Sequence, residues 1–113
     1  MFMGFIKPAD GVIFADDKLE SAFNSLEEND WLKKAIQKAI KDLTENIFCG
    51  DRIKKELIPK EYLQKYGIDN LWWYPLPNAW RLVYSVFTPS NVEILAVIID
   101  YSNHKDYERK FGY

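Results

Sequence analysis

Between Trp31 and Ile47, apolar residues recur at intervals of three and four: Trp31, Leu32, Ala35, Ile36, Ala39, Ile40, Leu43 and Ile47. On an α-helix that spacing forms one stripe, with Lys33, Lys34, Lys38, Lys41 and Asp42 on the other side. A shorter stripe, Leu19, Ala22, Phe23 and Leu26, comes just before it. Asp16 or Asp17 can cap that first helix by accepting its orphan backbone N–H groups, and Asn29-Asp30 breaks the pattern and offers a second cap. The pattern predicts two helices in a hairpin with a very short loop.

Past Gly50 the period changes. Arg52–Leu57 reads as either a short edge strand or a loop, and Pro59–Lys65 as one or two helical turns with Pro near the start. Leu71–Leu76 is rich in aromatics and predicts a strand. Pro77-Asn78 is a turn pair. Trp80–Phe87 alternates, with Trp80, Leu82, Tyr84 and Val86 on one face and Arg81, Val83, Ser85 and Phe87 on the other. Thr88–Asn91 makes a turn, and Val92–Tyr101 is nearly continuous apolar, as in a central strand. Val12–Phe14 is a short strand candidate, and the charged tail Asn103–Phe111 a short helix. Helices first and strands later predict an α+β fold. The N-terminal strand and helical hairpin would pack on a small twisted antiparallel sheet built from a three-stranded meander. The sheet's other face would stay partly open, and a short C-terminal helix would end a single domain over residues 1–113.

The chain has 113 residues, of which 48% are apolar, so it can bury a core without staples. Disorder, collagen-like structure and a disulfide scaffold are excluded. The one cysteine, Cys49, cannot make an intrachain disulfide and points to the cytoplasm. As a catalytic thiol it would need a neighbouring His; the plainer reading is a small apolar residue after a helix. The start of the chain lacks the pattern of a signal peptide. The longest apolar run, Ile94–Ile99, is too short to cross a bilayer.

A net charge of −2 and a pI near 5.4 argue against nucleic acid when taken as averages. The average hides a split. Residues 1–50 carry six lysines against nine acids, whereas residues 51–113 carry nine cations against eight acids. Arg52, Lys54, Lys55, Lys60 and Lys65 oppose only Glu56 and Glu61 in the basic centre. An acidic chain can therefore still present a cationic face.

The strand Trp80-Arg-Leu-Val-Tyr84, the strand Ile94–Asp100 and the tail His104-Lys-Asp-Tyr107 resemble, in that order, the RelE/ParE superfamily of toxin–antitoxin toxins. Leu57-Ile-Pro-Lys60, Tyr66-Gly67, Asn70-Leu-Trp72 and Leu76–Arg81 look like one RelE-like branch, so the likeness runs from about Val12 to Tyr113. The RelE branch implies a metal-independent endoribonuclease that cuts mRNA in the ribosomal A site. There the ribose 2′-hydroxyl attacks the adjacent phosphate, leaving a cyclic phosphate and a 5′-hydroxyl. The resemblance also implies a cognate antitoxin, whose segment would fold on binding in the groove between hairpin and sheet. A ParE-like or degenerate member would instead bind a non-RNA target such as DNA gyrase. The acidic pI favours that alternative; His104 and Tyr107 favour the nuclease.

The chemistry requires a base, an acid and cations on the phosphorane oxygens. Arg81 can grip a phosphate bidentately, or else be a surface Arg paired with Glu93 or Asp100. His104, the single histidine, suits proton transfer near neutrality, or else is a solvated helix-start residue. Tyr107, three residues on, would share its helical face. The resemblance implies base stacking or proton transfer for it; the plain alternative is packing of the tail onto the sheet. Arg52, Lys54 and Lys55 would bind RNA and hold phosphates, or else protect a sheet edge. Glu56 could act as a carboxylate base. Trp72, Trp73 and Tyr74 could stack bases, with core packing as the default. Tyr113 could reach the site with Phe111. The sequence offers no metal-ligand spacing and implies no cofactor and no membrane.

Overall fold

The computed structural model of the chain describes residues 6–111. β1 (Gly11–Phe14) leads into α1 (Asp17–Ser25) and α2 (Trp31–Glu45). β2 (Asp51–Arg52), a 3-10 turn (Lys55–Leu57) and α3 (Lys60–Tyr66) follow. β3 (Trp72–Pro75), a second 3-10 turn (Pro77–Ala79), β4 (Arg81–Phe87), β5 (Leu95–Ser102) and α4 (His104–Phe111) complete the order. Among the described residues, four helices and a five-stranded mixed sheet make an α+β fold.

The helical hairpin forms where the stripes place it, and both caps are side-chain carboxylates. Asp16 accepts from the Leu19 N–H at 2.8 Å and Asp30 from the Leu32 N–H at 2.8 Å. Lys33 departs from the expected polar face. It is buried, and its ammonium donates to the Leu26 carbonyl at 3.0 Å and to Glu28 at 2.9 Å. A cation is favourable there because Leu26 closes the carbonyl end of α1. The lysine thus ties α2 to the turn that precedes it.

The sheet is larger than a three-stranded meander, in the order β1-β5-β4-β3-β2. β3, β4 and β5 are the expected antiparallel meander, but β1 pairs parallel with β5, from Gly11 opposite Leu95 to Phe14 opposite Ile98. A parallel pair needs a long crossover, which the two helices and everything after them supply. β2 extends the far edge by two residues, with Arg52 opposite Trp72. β5 begins at Leu95, later than the apolar run implied. Val92 is 91% exposed, because β4 pairing ends at Phe87 opposite Leu95 and residues 88–94 form the connection.

Two cores lie on the two faces of this sheet. The hairpin face buries Phe23, Leu32, Ile36, Ala39 and Leu43 against Leu82, Tyr84, Ala96 and Ile98. The second face was expected to be partly open. Instead α3 and α4 pack on it, with Tyr62, Tyr107 and Phe111 buried against Leu71, Val83 and Ile99. The charged tail conceals this packing in sequence, since two aromatics four residues apart suffice for one buried face. An open end remains where Ile13 and Phe87 stay exposed.

A bulge sets the chemistry of the second face. Val83 opposes Asp100 while Tyr84 opposes Ile98, so Ile99 is an extra residue in β5. Ile99 and Asp100 then both serve the second face: Ile99 joins its core, and Asp100 bonds to residues of α3 and α4.

Candidate functional site

Strand alternation sends Arg81 and Val83 to the second face, away from Leu82 and Tyr84. Arg81 opposes Pro75 on β3, so Trp73, two residues away on the same face, is its diagonal neighbour. On the other side Arg81 opposes Ser102, and α4 starts two residues later at His104. The guanidinium therefore meets an aromatic ring from each direction. Its Cζ atom lies 4.2 Å from the Trp73 ring centroid and 4.5 Å from that of Tyr107. Each such contact contributes about 0.5–2 kcal/mol, depending on desolvation.

The row of rings continues past the arginine. Tyr107 stacks on Phe111 with centroids 4.3 Å apart, Phe111 meets Tyr62 at 6.3 Å, and Tyr62 meets Tyr66 at 6.2 Å. Neither Glu93 nor Asp100 pairs with Arg81, and no hydrogen bond or ion pair to its guanidinium is found among the described residues. Both rings lie within cation–π range of the fork, and its N–H groups have no hydrogen-bond partner among the described residues. That arrangement suits an oxyanion, which a guanidinium takes bidentately.

The three residues expected to be catalytic gather at this end of the sheet, but they do not share one face. Tyr107 is 1% exposed and packs α4 onto the sheet, as the plain alternative required. His104 is turned to solvent and holds Glu108 through Nε2 at 2.8 Å. The expected common face of His104 and Tyr107 is replaced by an inward tyrosine and an outward His104–Glu108 pair. Tyr113 lies outside the described residues.

The basic run stands apart. Arg52 opposes Trp72, and Trp72 belongs to the hairpin face, stacking on Tyr84 at 6.2 Å. Arg52 therefore lies on the face opposite Arg81, with its Cζ 5.8 Å from the Trp72 ring. Lys54 and Lys55 are exposed at the 3-10 turn beyond β2, as is Glu56. The sheet's alternation thus separates Arg52 from Arg81, and Lys54 and Lys55 lie beyond the strand. Trp72 and Trp73 likewise point to opposite faces, and Tyr74 joins Trp72 on the hairpin side.

Next to the aromatic row, a cleft of about 360 Å³ opens between α1, α3 and α4. Three carboxylates line it, Asp16, Glu61 and Asp100, and the two aspartates are each held by a tyrosine and a lysine. Tyr66 donates to Asp16 at 2.9 Å, with Lys65 at 3.3 Å. Tyr62 donates to Asp100 at 2.9 Å, and Lys110 pairs with the same oxygen. The Leu19 N–H and the Tyr66 hydroxyl hold the Asp16 carboxyl below its ordinary range. Burial, and then the Asp100 charge, push the Tyr62 phenol well above its own. Sequence reasoning missed Trp73 as the partner of Arg81, and Asp100 as the anchor of α3 and α4. Strand register was the signal for the first; a bulge leaves no signal in one sequence.

Cys49 is at the surface, but partial burial of its sulfur and the nearby Asp42 charge raise its thiol, the reverse of an activated nucleophile. Among the described residues, no three His, Cys, Asp or Glu side chains are placed to hold a metal ion, and no helix is long and apolar enough to cross a membrane. No family model matches the chain, and no curated protein or solved structure matches it at a significant level.

Proposed function

We propose that this chain is a RelE-like toxin, an endoribonuclease that cuts mRNA in the ribosomal A site and so inhibits translation. The observation that supports it most is the Arg81 fork, stacked between Trp73 and Tyr107 with no described anion on its N–H groups. In the reaction the 2′-oxygen forms a bond to phosphorus while the bond from phosphorus to the 5′-oxygen breaks. The proton of the 2′-hydroxyl passes to a base and another is given to the departing 5′-oxygen. Arg81 would hold the phosphorane oxygens, where charge develops. His104, at the start of α4 and accessible to solvent, would carry one of the two proton transfers. Tyr107 would act through Arg81, by restraining its side chain.

A cognate antitoxin is the proposed partner. The interior of the hairpin–sheet junction is filled by Ile36, Ala39 and Leu43, and at its edge an open depression of about 270 Å³ lies between α2 and the end of β3, lined in part by Ala35, Lys38 and Tyr74. An open apolar depression of about 530 Å³ lies on the second face, lined in part by Ile13, Ile68, Phe87 and Val97.

One observation favours a second reading. Arg52 stands on the face opposite Arg81, which leaves the candidate site with fewer cations than a nuclease of this type would use. A ParE-like or degenerate protein that binds a target such as DNA gyrase would need no such cluster. Induced expression with mapping of new mRNA 5′ ends separates the two. The nuclease reading expects growth arrest with cuts within codons, lost in Arg81→Ala and His104→Ala. Arrest without new ends would overturn it and leave the second.

A further inference from the structure

We infer that Arg52, Lys55, Phe48 and Trp72 form a second contact for single-stranded RNA, on the hairpin face at the β2–β3 edge and separate from Arg81. The inference takes the identity of the strand from the RNA reading above, but it requires no cleavage. These four side chains line a depression of about 480 Å³, with Asn70 and Thr88 on its far side. Two aromatic side chains line it: Phe48 and Trp72 are 5.4 Å apart and inclined at 40°, and both are half-buried, so each keeps part of its ring accessible. Its rim is cationic. Arg52 touches the Trp72 ring, and neither Arg52 nor Lys55 has an ion pair among the described residues.

Aromatic rings beside cations that lack ion pairs are the combination that binds single strands, with a base on a ring and phosphates on the cations. The wall is rigid. Asn70 accepts from the Val86 N–H at 2.8 Å and from Ser85 at 3.2 Å, and it donates to the Val86 carbonyl at 3.0 Å. Its amide is thus used by the fold and is not free to read a base. One acid, Asp69, also lines the depression, and its carboxylate accepts from Asn70. The site should therefore hold RNA with little sequence preference.

The test uses the full chain and a short oligoribonucleotide with 2′-O-methyl groups throughout, which cannot be cut. Fluorescence anisotropy reads affinity against salt. Two phosphate contacts on a single strand contribute about 1.4 to the slope of log K against log salt. Arg52→Ala with Lys55→Ala should lower the slope by that amount and weaken binding about 25-fold at 0.1 M salt. In ¹⁵N spectra the Trp72 indole resonance should shift on binding while that of Trp31 does not. Wild-type affinity in the double variant would overturn the inference, as would an unmoved Trp72 resonance or no binding by the wild type. The nuclease reading would survive any of these if mRNA is still cut in cells. Binding that depends on Arg52 and Lys55, without any new mRNA ends, would sink the nuclease reading and leave this contact standing.

Discussion

Trp73 on β3 and Tyr107 on α4 both stand within 4.5 Å of one atom, the Cζ of Arg81, at 4.2 and 4.5 Å respectively. The pairing depends on two separate features of the chain. Register between β3 and β4 puts Trp73 diagonally beside Arg81. The direct passage from β5 into α4 brings Tyr107 over it. Two ring contacts thereby restrain a flexible side chain before any ligand arrives, which lowers the ordering cost of binding an anion.

Arg81→Lys keeps the charge and loses the planar fork. An ammonium on a flexible stem cannot reproduce both the stack and the bidentate grip. Under the proposed nuclease reading, cleavage of an mRNA on ribosomes should fall at least tenfold, and the two cation–π contacts, about 1 kcal/mol each, limit the loss of stability read from the urea midpoint to about 2 kcal/mol. Tyr107→Phe should keep most activity, since the ring remains. Tyr107→Ala should lose activity and about 3–5 kcal/mol of stability through the cavity beneath α4.

His104 faces solvent and pairs with Glu108 across one helical turn. Exposed pairs of this kind contribute about 0.3–0.5 kcal/mol. His104→Gln should therefore leave the melting temperature within about 2 °C of wild type. If His104 carries a proton in the reaction, the same variant should cut mRNA at least a hundredfold more slowly. Unchanged cutting rates would remove His104 from the mechanism without touching the role of Arg81.

How much of this was legible in the sequence follows from the range of each interaction. The hairpin was readable because its stripe, from Trp31 to Ile47, is local and long. The alternation of Trp80–Phe87 correctly set Arg81 apart from Leu82 and Tyr84. The parallel pairing of β1 with β5 was not readable, because it joins residues more than eighty positions apart through a four-residue strand. Nor was the separation of Arg52 from Arg81. Both are cations in strands, but their faces are set by register against β3, which composition does not record. Lys33 looked solvated because its partners, Leu26 and Glu28, come from the preceding turn. Its burial is a tertiary fact overriding a sound helical pattern.

The acid limb of stability should depend on Asp16 and Asp42. The Leu19 N–H lowers Asp16, and the Tyr74 hydroxyl with Lys38 lowers Asp42. A carboxyl depressed in the folded state adds stability above its unfolded value of about 3.9. That contribution is lost as pH falls through the folded value. Melting temperature against pH should therefore drop below about pH 4 in the wild type, and less steeply in Asp16→Asn and Asp42→Asn. The alkaline limb has the opposite sign. Burial and Asp42 push Tyr74 up to about 12. Its contribution is present below about pH 10, the unfolded value, and fades as pH rises further. Absorbance at 295 nm should show Tyr74→Phe losing one late-titrating phenol.

Packing is close where α2 hands over to β2, and it gives a demanding stability test. The Tyr84 hydroxyl donates to the Ile47 carbonyl at 2.8 Å and accepts from the Gly50 N–H at 3.1 Å. A Cβ on Gly50 would stand 2.5 Å from the Trp73 carbonyl oxygen and 2.8 Å from the Tyr84 hydroxyl. The first neighbour is backbone of the central meander and cannot step aside. Gly50→Ala should thus cost about 1–3 kcal/mol by overpacking. Tyr84→Phe, which strands the buried Ile47 carbonyl and the Gly50 N–H, should cost a similar ~1–3 kcal/mol. Both substitutions act on one knot, so the double variant should lose less than the two single losses combined. Urea midpoints at constant slope would measure this, and strict additivity would show that Gly50 is constrained by the Trp73 carbonyl alone. In that case Gly50→Ala should also shift the β2–β3 edge, and with it the Arg52–Trp72 contact, because Asp51 pairs with Trp73 and Arg52 with Trp72.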